Sequence, residues 1–153
     1  MDQDAFRANL IKTLDTSLIH LSRDRGVVHK RLAKQASRLA GVDLGYSAFF
    51  IFETLSEKGM RVTELAEALR VPASTITRQI QSLEGQGLID RLPDELDGRA
   101  SVVKLSGEGM RVADIIGSLR IERLERALNG VSVEDLQRVA NSIERLIGVL
   151  REG

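Results

Sequence analysis

The segment from Val62 to Ser106 constrains the fold of this chain more than any other part of it. It reads VTELAEALRVPASTITRQIQSLEGQGLIDRLPDELDGRASVVKLS. Apolar residues recur at helical spacing before and after a turn that contains Pro72. Two short runs of alternating residues then flank a loop over residues 93–98. This order predicts two short helices joined by a tight turn, the second over 73–85, and then a two-stranded hairpin.

Amphipathic patterns predict further helices on both sides of this segment. One apolar stripe over residues 4–22 consists of Phe6, Leu10, Leu14, Leu18 and Leu21. A similar stripe continues to Leu39, and Gly26 between them either breaks the helix or is tolerated in it. More helices are expected over 46–57, over 107–128 and after Ser132. Hydroxyl side chains that suit helix N-caps precede three of the predicted helices: Thr63, Ser106 and Ser132.

The whole pattern predicts a mainly α-helical fold with a small β-hairpin wing. Residues 46–106 are assigned to a winged helix-turn-helix, and residues 1–45 and 107–153 to a helical dimerisation region. The apolar stripes of the terminal regions are too extensive for one small core. We therefore expect a homodimer with a two-fold axis to bury them, rather than a monomer with long packed helices.

Composition narrows the classes of function. The chain has 153 residues and no Cys, which excludes disulfides, thiolate nucleophiles and Cys-ligated zinc. No apolar run reaches the ~18 residues of a membrane span, and the acidic start is unlike a signal peptide, so a cytoplasmic protein is expected. The 22 basic and 22 acidic residues balance each other. Nucleic-acid binding would therefore need the few arginines on one face, and a dimer would double the phosphate contacts.

The predicted helix over 73–85 has two chemically different faces. An apolar side is expected to pack inward: Ile76, Ile80 and Leu83. A polar side is expected to face outward: Ser74, Thr75, Thr77, Arg78 and Gln81. Arg and Gln present paired hydrogen-bonding groups to guanine and adenine, and Thr methyl groups fit thymine methyls. The neighbouring helix, turn and hairpin favour base contact over an ordinary solvated surface.

The hairpin loop carries the second candidate contact, Asp97-Gly98-Arg99. An arginine at this tip can enter a narrow minor groove, where the negative potential is concentrated. Asp97 can hold the Arg99 guanidinium by a charge-assisted hydrogen bond. The alternative is an exposed ion pair in a turn, which contributes little energy.

Together, these residues resemble the multiple-antibiotic-resistance regulator (MarR) family. The resemblance covers residues 44–110 and implies a homodimeric winged-helix repressor. It gives Arg78 the recognition-helix position that often touches bases, with Ser74, Thr75 and Thr77 beside it. It also gives Asp97 and Arg99 the family's wing pair. Gly98 departs from the family pattern, which has Arg at this position, so one backbone-contacting charge is missing.

The resemblance also implies a small anionic or aromatic effector bound near the helix over 46–57. Candidates for its site are aromatic residues with a charged partner: Tyr46, Phe49, Phe50 and Arg38, with His29 as the alternative partner to Arg38. Clustered aromatic residues are more often part of a core. His20 and His29 are nine residues apart and lack ligand spacing, so a metal site is not expected.

The functional hypothesis is a dimeric, sequence-specific DNA-binding transcription regulator, a ligand-responsive repressor acting on a palindromic operator. The neutral charge and the acidic run over residues 94–97 motivate an alternative, a winged-helix module that binds protein without specific DNA binding. No catalytic motif supports an enzyme. No cofactor is expected apart from the effector.

Overall fold

The computed structural model describes residues 3–94 and 100–152, apart from the side chains of residues 4, 5 and 22–25. The elements in chain order are α1 (Gln3–Ala40), α2 (Tyr46–Leu55), β1 (Met60–Arg61), α3 (Val62–Leu69), α4 (Ala73–Gly85), β2 (Ile89–Pro93), β3 (Ser101–Leu105), α5 (Gly107–Ala127) and α6 (Val133–Glu152). This confirms the predicted fold class. The chain forms two compact units, Met1–Leu119 and Arg120–Gly153. The predicted division into residues 46–106 and flanking dimerisation helices stays a prediction.

Helix α1 is a single helix of 38 residues, so Gly26 is tolerated and does not break it. Its C-terminal part is buried, with Leu32 and Ala36 in the core of the first unit. Its N-terminal part is different, because the apolar stripe from Phe6 to Leu18 is exposed. One continuous helix therefore has two environments.

The core of the first unit lies between α1, α2, the α3–α4 pair, the sheet and the start of α5. Phe49 and Phe52 are the largest side chains buried in it. Ile76, Ile80 and Leu83 are 1%, 0% and 3% exposed, which confirms the predicted inward face of α4. Burying three such side chains stabilises the helix against the core by roughly 1.5–3 kcal/mol each.

The sheet is antiparallel, with strand order β1-β3-β2. Its central strand β3 pairs with β1 through Met60–Val103 and with β2 through Ile89–Leu105. Val103 is fully buried, as suits the central strand. Two of the three strands form the predicted hairpin, and the short β1 ties the hairpin to the start of α3.

The predicted cap at Thr63 is wrong. Helix α3 begins at Val62, and Arg61 is the residue before it, with extended backbone angles (φ −66°, ψ 150°). The Arg61 backbone N–H donates to Glu64 Oε2 at 2.8 Å. The carboxylate of Glu64 thus reaches back over the first turn, and this contact, which the hydroxyl pattern does not reveal, sets the helix start.

The other two predicted caps are confirmed. Ser106 Oγ accepts the Gly109 N–H at 3.0 Å and also donates to the Gly87 carbonyl at 2.6 Å. Ser132 Oγ accepts the Asp135 N–H at 3.1 Å. Ser106 therefore both starts α5 and holds it against the end of the preceding helical segment.

The second unit consists of the end of α5, a turn in which Gly130 has φ +87°, and α6. Every residue of α6 is at least partly exposed, although its apolar residues form a stripe. Val139, Ile143 and Leu150 of this stripe are 55%, 51% and 64% exposed. The apolar stripe of α6 is therefore not covered within the described residues.

Candidate nucleic-acid interface

A tight turn sets the position of α4 against α3. Arg70 adopts the left-handed conformation (φ 54°, ψ 44°), and its N–H donates to the Glu67 carbonyl at 3.0 Å. The Val71 N–H donates to the Ala66 carbonyl, also at 3.0 Å. The Thr75 N–H then donates to the Pro72 carbonyl, which begins α4. These bonds close one helix and open the next within three residues, as a helix-turn-helix requires.

The outward face of α4 is polar and accessible. Ser74, Thr75, Arg78 and Gln81 are exposed. A surface hollow of about 600 Å³ runs along the helix and is lined by Ser74, Thr75, Arg78, Gln79 and Ser82. None of these side chains is acidic, so the face repels no phosphate. Four of the residues predicted to contact DNA are thus exposed on α4, and their role stays a prediction.

Thr77 is placed differently from its neighbours. It is half-buried, and its hydroxyl donates to the Ala73 carbonyl at 2.8 Å. This back-bonding within the helix occupies the donor of the hydroxyl. Only the methyl group and one acceptor of Thr77 are left for a base.

The predicted wing contacts Asp97 and Arg99, and the departure at Gly98, lie outside the described residues. The base of the wing is described. The Asp94 N–H donates to the Ala100 carbonyl at 3.0 Å, and the Asp94 carboxylate lies 2.5 Å from Arg61 Nε. The wing strands are therefore held together where the loop begins and ends.

A second cluster at the wing base was not predicted from the sequence. Arg91 of β2 donates from Nε and Nη2 to the two carboxylate oxygens of Glu84, at 2.9 and 3.2 Å. Arg91 Nη1 donates to Ser101 Oγ at 3.0 Å. The only signal in the sequence is a pair of opposite charges seven residues apart across a turn, which is common and unspecific.

Two of the candidate effector residues belong to the core. Phe49 is 2% exposed, and His29 is 8% exposed and stacks on the Phe49 ring with centroids 4.4 Å apart. The edge of Phe50 meets the same imidazole at 5.0 Å. Packing in the core, the usual role of clustered aromatic residues, therefore accounts for the positions of Phe49 and His29.

Tyr46 lines two hollows. One, of about 390 Å³, also includes Arg38, Lys30 and Lys34. The other, of about 370 Å³, lies between α2, α3 and α4 and includes Phe50, Arg70 and Gln79; we call it the α2–α4 cavity. The Gln79 Oε1 atom is buried and meets no hydrogen-bond donor within the described part of the chain. Sequence reasoning missed Arg70 and Gln79, because only the folded turn brings them beside Tyr46.

The described residues contain no group of three or more His, Asp or Glu side chains placed to hold a metal ion. None of their helices combines the length and apolar character needed to cross a membrane.

A helix-turn-helix with a hairpin wing and a polar, open second helix defines the winged-helix class of DNA-binding domains. The sequence model of the MarR family matches residues 46–101. The chain is 31% identical over 105 residues to the uncharacterized HTH-type transcriptional regulator YxaD of Bacillus subtilis, an alignment spanning 68% of this chain and 73% of YxaD. It is 25% identical over 119 residues to the HTH-type transcriptional repressor IacR of Pseudomonas putida, spanning 76% of this chain and 71% of IacR.

Solved structures show the same fold. A MarR family protein from Bacillus stearothermophilus superposes with a TM-score of 0.75 at 20% identity, covering 92% of this chain and 97% of that one. The apo form of MarR from E. coli superposes with a TM-score of 0.66 at 19% identity, covering 87% and 94%. The chain belongs to the MarR family and is a DNA-binding transcription regulator.

Proposed function

We propose that this regulator is a homodimeric repressor that places α4 in the major groove and the wing over residues 93–100 in the minor groove of a palindromic operator. It acts by binding rather than by catalysis. The observation that carries this proposal is the division of α4 into a buried apolar side and an open polar side. Ile80 is fully buried, while Arg78 and Gln81 project from adjacent turns.

The exposed side chains of α4 have the chemistry of base readout. Arg78 can donate two hydrogen bonds to guanine, and Gln81 can pair with adenine. Ser74 and Thr75 lie in the first turn, where free backbone N–H groups and the helix dipole favour a phosphate. Two base contacts would then specify the half-site, and the phosphate contacts would fix the register of the helix on it.

A dimer supplies what one copy lacks. The segment over residues 61–105 holds six basic and seven acidic residues, so it has no general attraction for DNA. Two copies related by a two-fold axis would double the phosphate contacts and read half-sites roughly 34–36 Å apart. The exposed apolar stripes of α6 and of the N-terminal part of α1 are the surfaces we assign to this dimer.

Selection from a random duplex library with the purified full-length protein tests the proposal. We expect an enriched palindrome whose binding weakens steeply with salt. The Arg78→Ala variant should lose about tenfold or more in affinity and relax the preference at one base pair of each half-site. Lys58→Ala removes one charge from the exposed turn after α2 and should leave that preference intact. If the selection enriched no palindrome, the proposed two-fold mode of operator binding would be wrong.

We also propose that a small, mainly apolar carboxylate acts as the effector and binds in the α2–α4 cavity. The cavity volume of about 370 Å³ suits a small molecule. Its wall combines the Tyr46 and Phe50 rings, whose centroids are 5.4 Å apart, with the exposed Arg70. Arg70 forms no ion pair with another described residue, so its charge is available. Ile76 and Gln79 of α4 complete the wall, so an occupant would press directly on the recognition helix.

Tyr46 provides a specific readout for this effector. The chain has one Tyr and no Trp, so its intrinsic fluorescence reports on Tyr46 alone. Adamantane-1-carboxylate, which does not absorb where tyrosine does, should change this emission saturably, and the neutral adamantane-1-carboxamide should bind at least about tenfold more weakly.

Two arginine variants separate the two hollows beside Tyr46. Arg70→Gly removes the guanidinium and suits the left-handed backbone, so it should abolish the preference for the carboxylate without unfolding the protein. Arg38→Gln should leave that preference unchanged. The opposite pattern would move the effector site to the hollow that contains Arg38, and no preference in the wild type would refute an anionic effector in either hollow.

A further inference from the structure

We infer that Glu84 and Arg91 are positioning residues, which fix the angle between the recognition helix and the wing without contacting DNA. Arg91 is a cation on a wing strand, and its charge alone would suggest that it contacts a DNA phosphate. Its three guanidinium nitrogens are instead directed at Glu84 and Ser101. The inference rests on the proposed function, because the expected effect is a change in operator binding. The contacts from which it is argued are those of the free protein.

The geometry of the pair is bidentate. Nε and Nη2 of Arg91 face the two oxygens of one carboxylate, an arrangement that fixes direction as well as distance. Glu84 lies in the last turn of α4, whereas Arg91 lies in the middle of β2. The third bond, to Ser101 Oγ, reaches the start of β3. One guanidinium thus joins the recognition helix to both strands of the wing.

The Arg61–Asp94 pair joins the wing to the other helix of the helix-turn-helix. Arg61 immediately precedes α3, and Asp94 immediately follows β2. The Asp94 side chain is 10% exposed and the Arg61 side chain 37%, so the carboxylate is covered while the guanidinium is partly open to solvent. The wing base is therefore connected to α3 and α4 by separate ion pairs. Strands β2 and β3 are thus attached to both helices of the helix-turn-helix before DNA is bound, which lowers the ordering cost of binding.

The inference is tested by whether one substitution, Glu84→Gln, strengthens or weakens operator binding. Glu84→Gln removes a negative charge close to the proposed DNA surface, so electrostatics alone would strengthen operator binding. If Glu84 positions the wing, the same variant should weaken binding about tenfold, because Arg91 loses its bidentate partner. Asp90→Asn is the matched control: it removes an exposed acid from β2 outside the cluster, and it should leave affinity equal or slightly higher. Stronger or unchanged binding by Glu84→Gln would overturn the inference.

Two further measurements test the positioning role, and the first of them does not require an operator. In the free protein, hydrogen exchange of the Asp94 amide, which donates to the Ala100 carbonyl, should accelerate about tenfold in Glu84→Gln and stay unchanged in Asp90→Asn. This readout would survive even if no operator existed. The salt dependence of operator binding should keep its slope in Arg91→Gln, whereas a phosphate-contacting arginine would lower the slope by about 1. Unchanged exchange or a reduced slope would refute the positioning role.

Discussion

Helices α4 and α6 are both amphipathic, but only α4 buries its apolar side within the chain. Ile80 of α4 is fully buried, while Ile143 of α6 is 51% exposed. The apolar stripe of α4 meets α3 and the sheet, because a turn of three residues folds the helix back on its neighbours. The stripe of α6 belongs to the second unit, Arg120–Gly153, and no residue of α6 is buried. A helical apolar pattern therefore predicts a face to be buried, but not which chain will bury it.

The same contrast divides the molecule into an inner and an outer region. The inner region is the packed core of the first unit, in which substitutions should change the stability of the fold. The outer region comprises α6 and the N-terminal part of α1, in which apolar substitutions should change assembly instead. Paired substitutions at a more buried and a less buried position test how far burial decides the effect.

The largest difference is expected between two glycines of α5. A Cβ atom on Gly109 would lie 2.0 Å from the Leu88 carbonyl oxygen, whereas one on Gly117 would meet nothing within 4 Å. Gly109→Ala must displace backbone and should cost about 3 kcal/mol or more of unfolding free energy. Gly117→Ala should gain about 0.5–1 kcal/mol, because alanine favours a helix interior. Urea unfolding of both variants measures the difference, and equal stabilities would contradict the close packing of α5 on the sheet.

The second pair compares isoleucines of the inner and outer regions. Ile80→Ala should lower the unfolding free energy by about 2–5 kcal/mol, because it leaves a cavity in the core. Ile143→Ala should change the stability of each folded chain little but raise the dimer dissociation constant about tenfold or more. Thermal unfolding and analytical ultracentrifugation over a concentration series separate these effects. A dimer unaffected by Ile143→Ala would remove α6 from the interface.

The sequence alone predicts the features that depend on residues close to one another in the chain. The apolar period along α4, the turn at Pro72 and the hydroxyls of Ser106 and Ser132 act within a few residues, and the structure agrees with each. The cap predicted at Thr63 is wrong because a hydroxyl residue followed by acids has the pattern of a capped first turn, whereas the helix start depends on the bond between the Arg61 N–H and Glu64. The composition of the polar face of α4 could also be read locally.

Contacts between distant segments could not be predicted in this way. The Arg91–Glu84 and Arg61–Asp94 pairs depend on where β2 lies after folding, as does the placement of Arg70 beside Tyr46. Phe49 and Phe50 are adjacent in the sequence, yet Phe49 belongs to the core and only Phe50 lines the α2–α4 cavity. Rotation of one helix by about 100° per residue decides that difference, and the packing of neighbouring elements fixes the rotation.

The third pair compares two capping serines. Ser106 is 9% exposed, and its hydroxyl serves both the Gly109 N–H and the Gly87 carbonyl, whereas Ser132 caps an exposed helix start. Ser106→Ala should cost about 2 kcal/mol, at the upper end of the range for caps, because it leaves a second polar group unpaired. Ser132→Ala should cost about half as much. Denaturant midpoints compare them, and a larger loss for Ser132→Ala would contradict the double role of the Ser106 hydroxyl.

The smallest effects are expected for two ion pairs along α5. Arg111 donates to the Glu108 carboxylate and, at 3.2 Å, to the Ala40 carbonyl at the end of α1. The hydrogen bond from Arg111 to the Glu108 carboxylate lowers the pKa of Glu108 below its ordinary value of 4.5. Because the folded pKa is depressed, the stabilisation is complete above pH 4.5 and is lost as pH falls through the lowered value. Glu108→Gln should therefore lower the melting temperature slightly at neutral pH and hardly at all in strong acid.

Glu122→Gln removes the acid of the longer Glu122–Arg126 pair, at 3.6 Å, and should have a smaller effect still, because both of its side chains are more exposed. A loss for Glu108→Gln that persists in acid would show that the side chain stabilises α5 by packing and not through its charge.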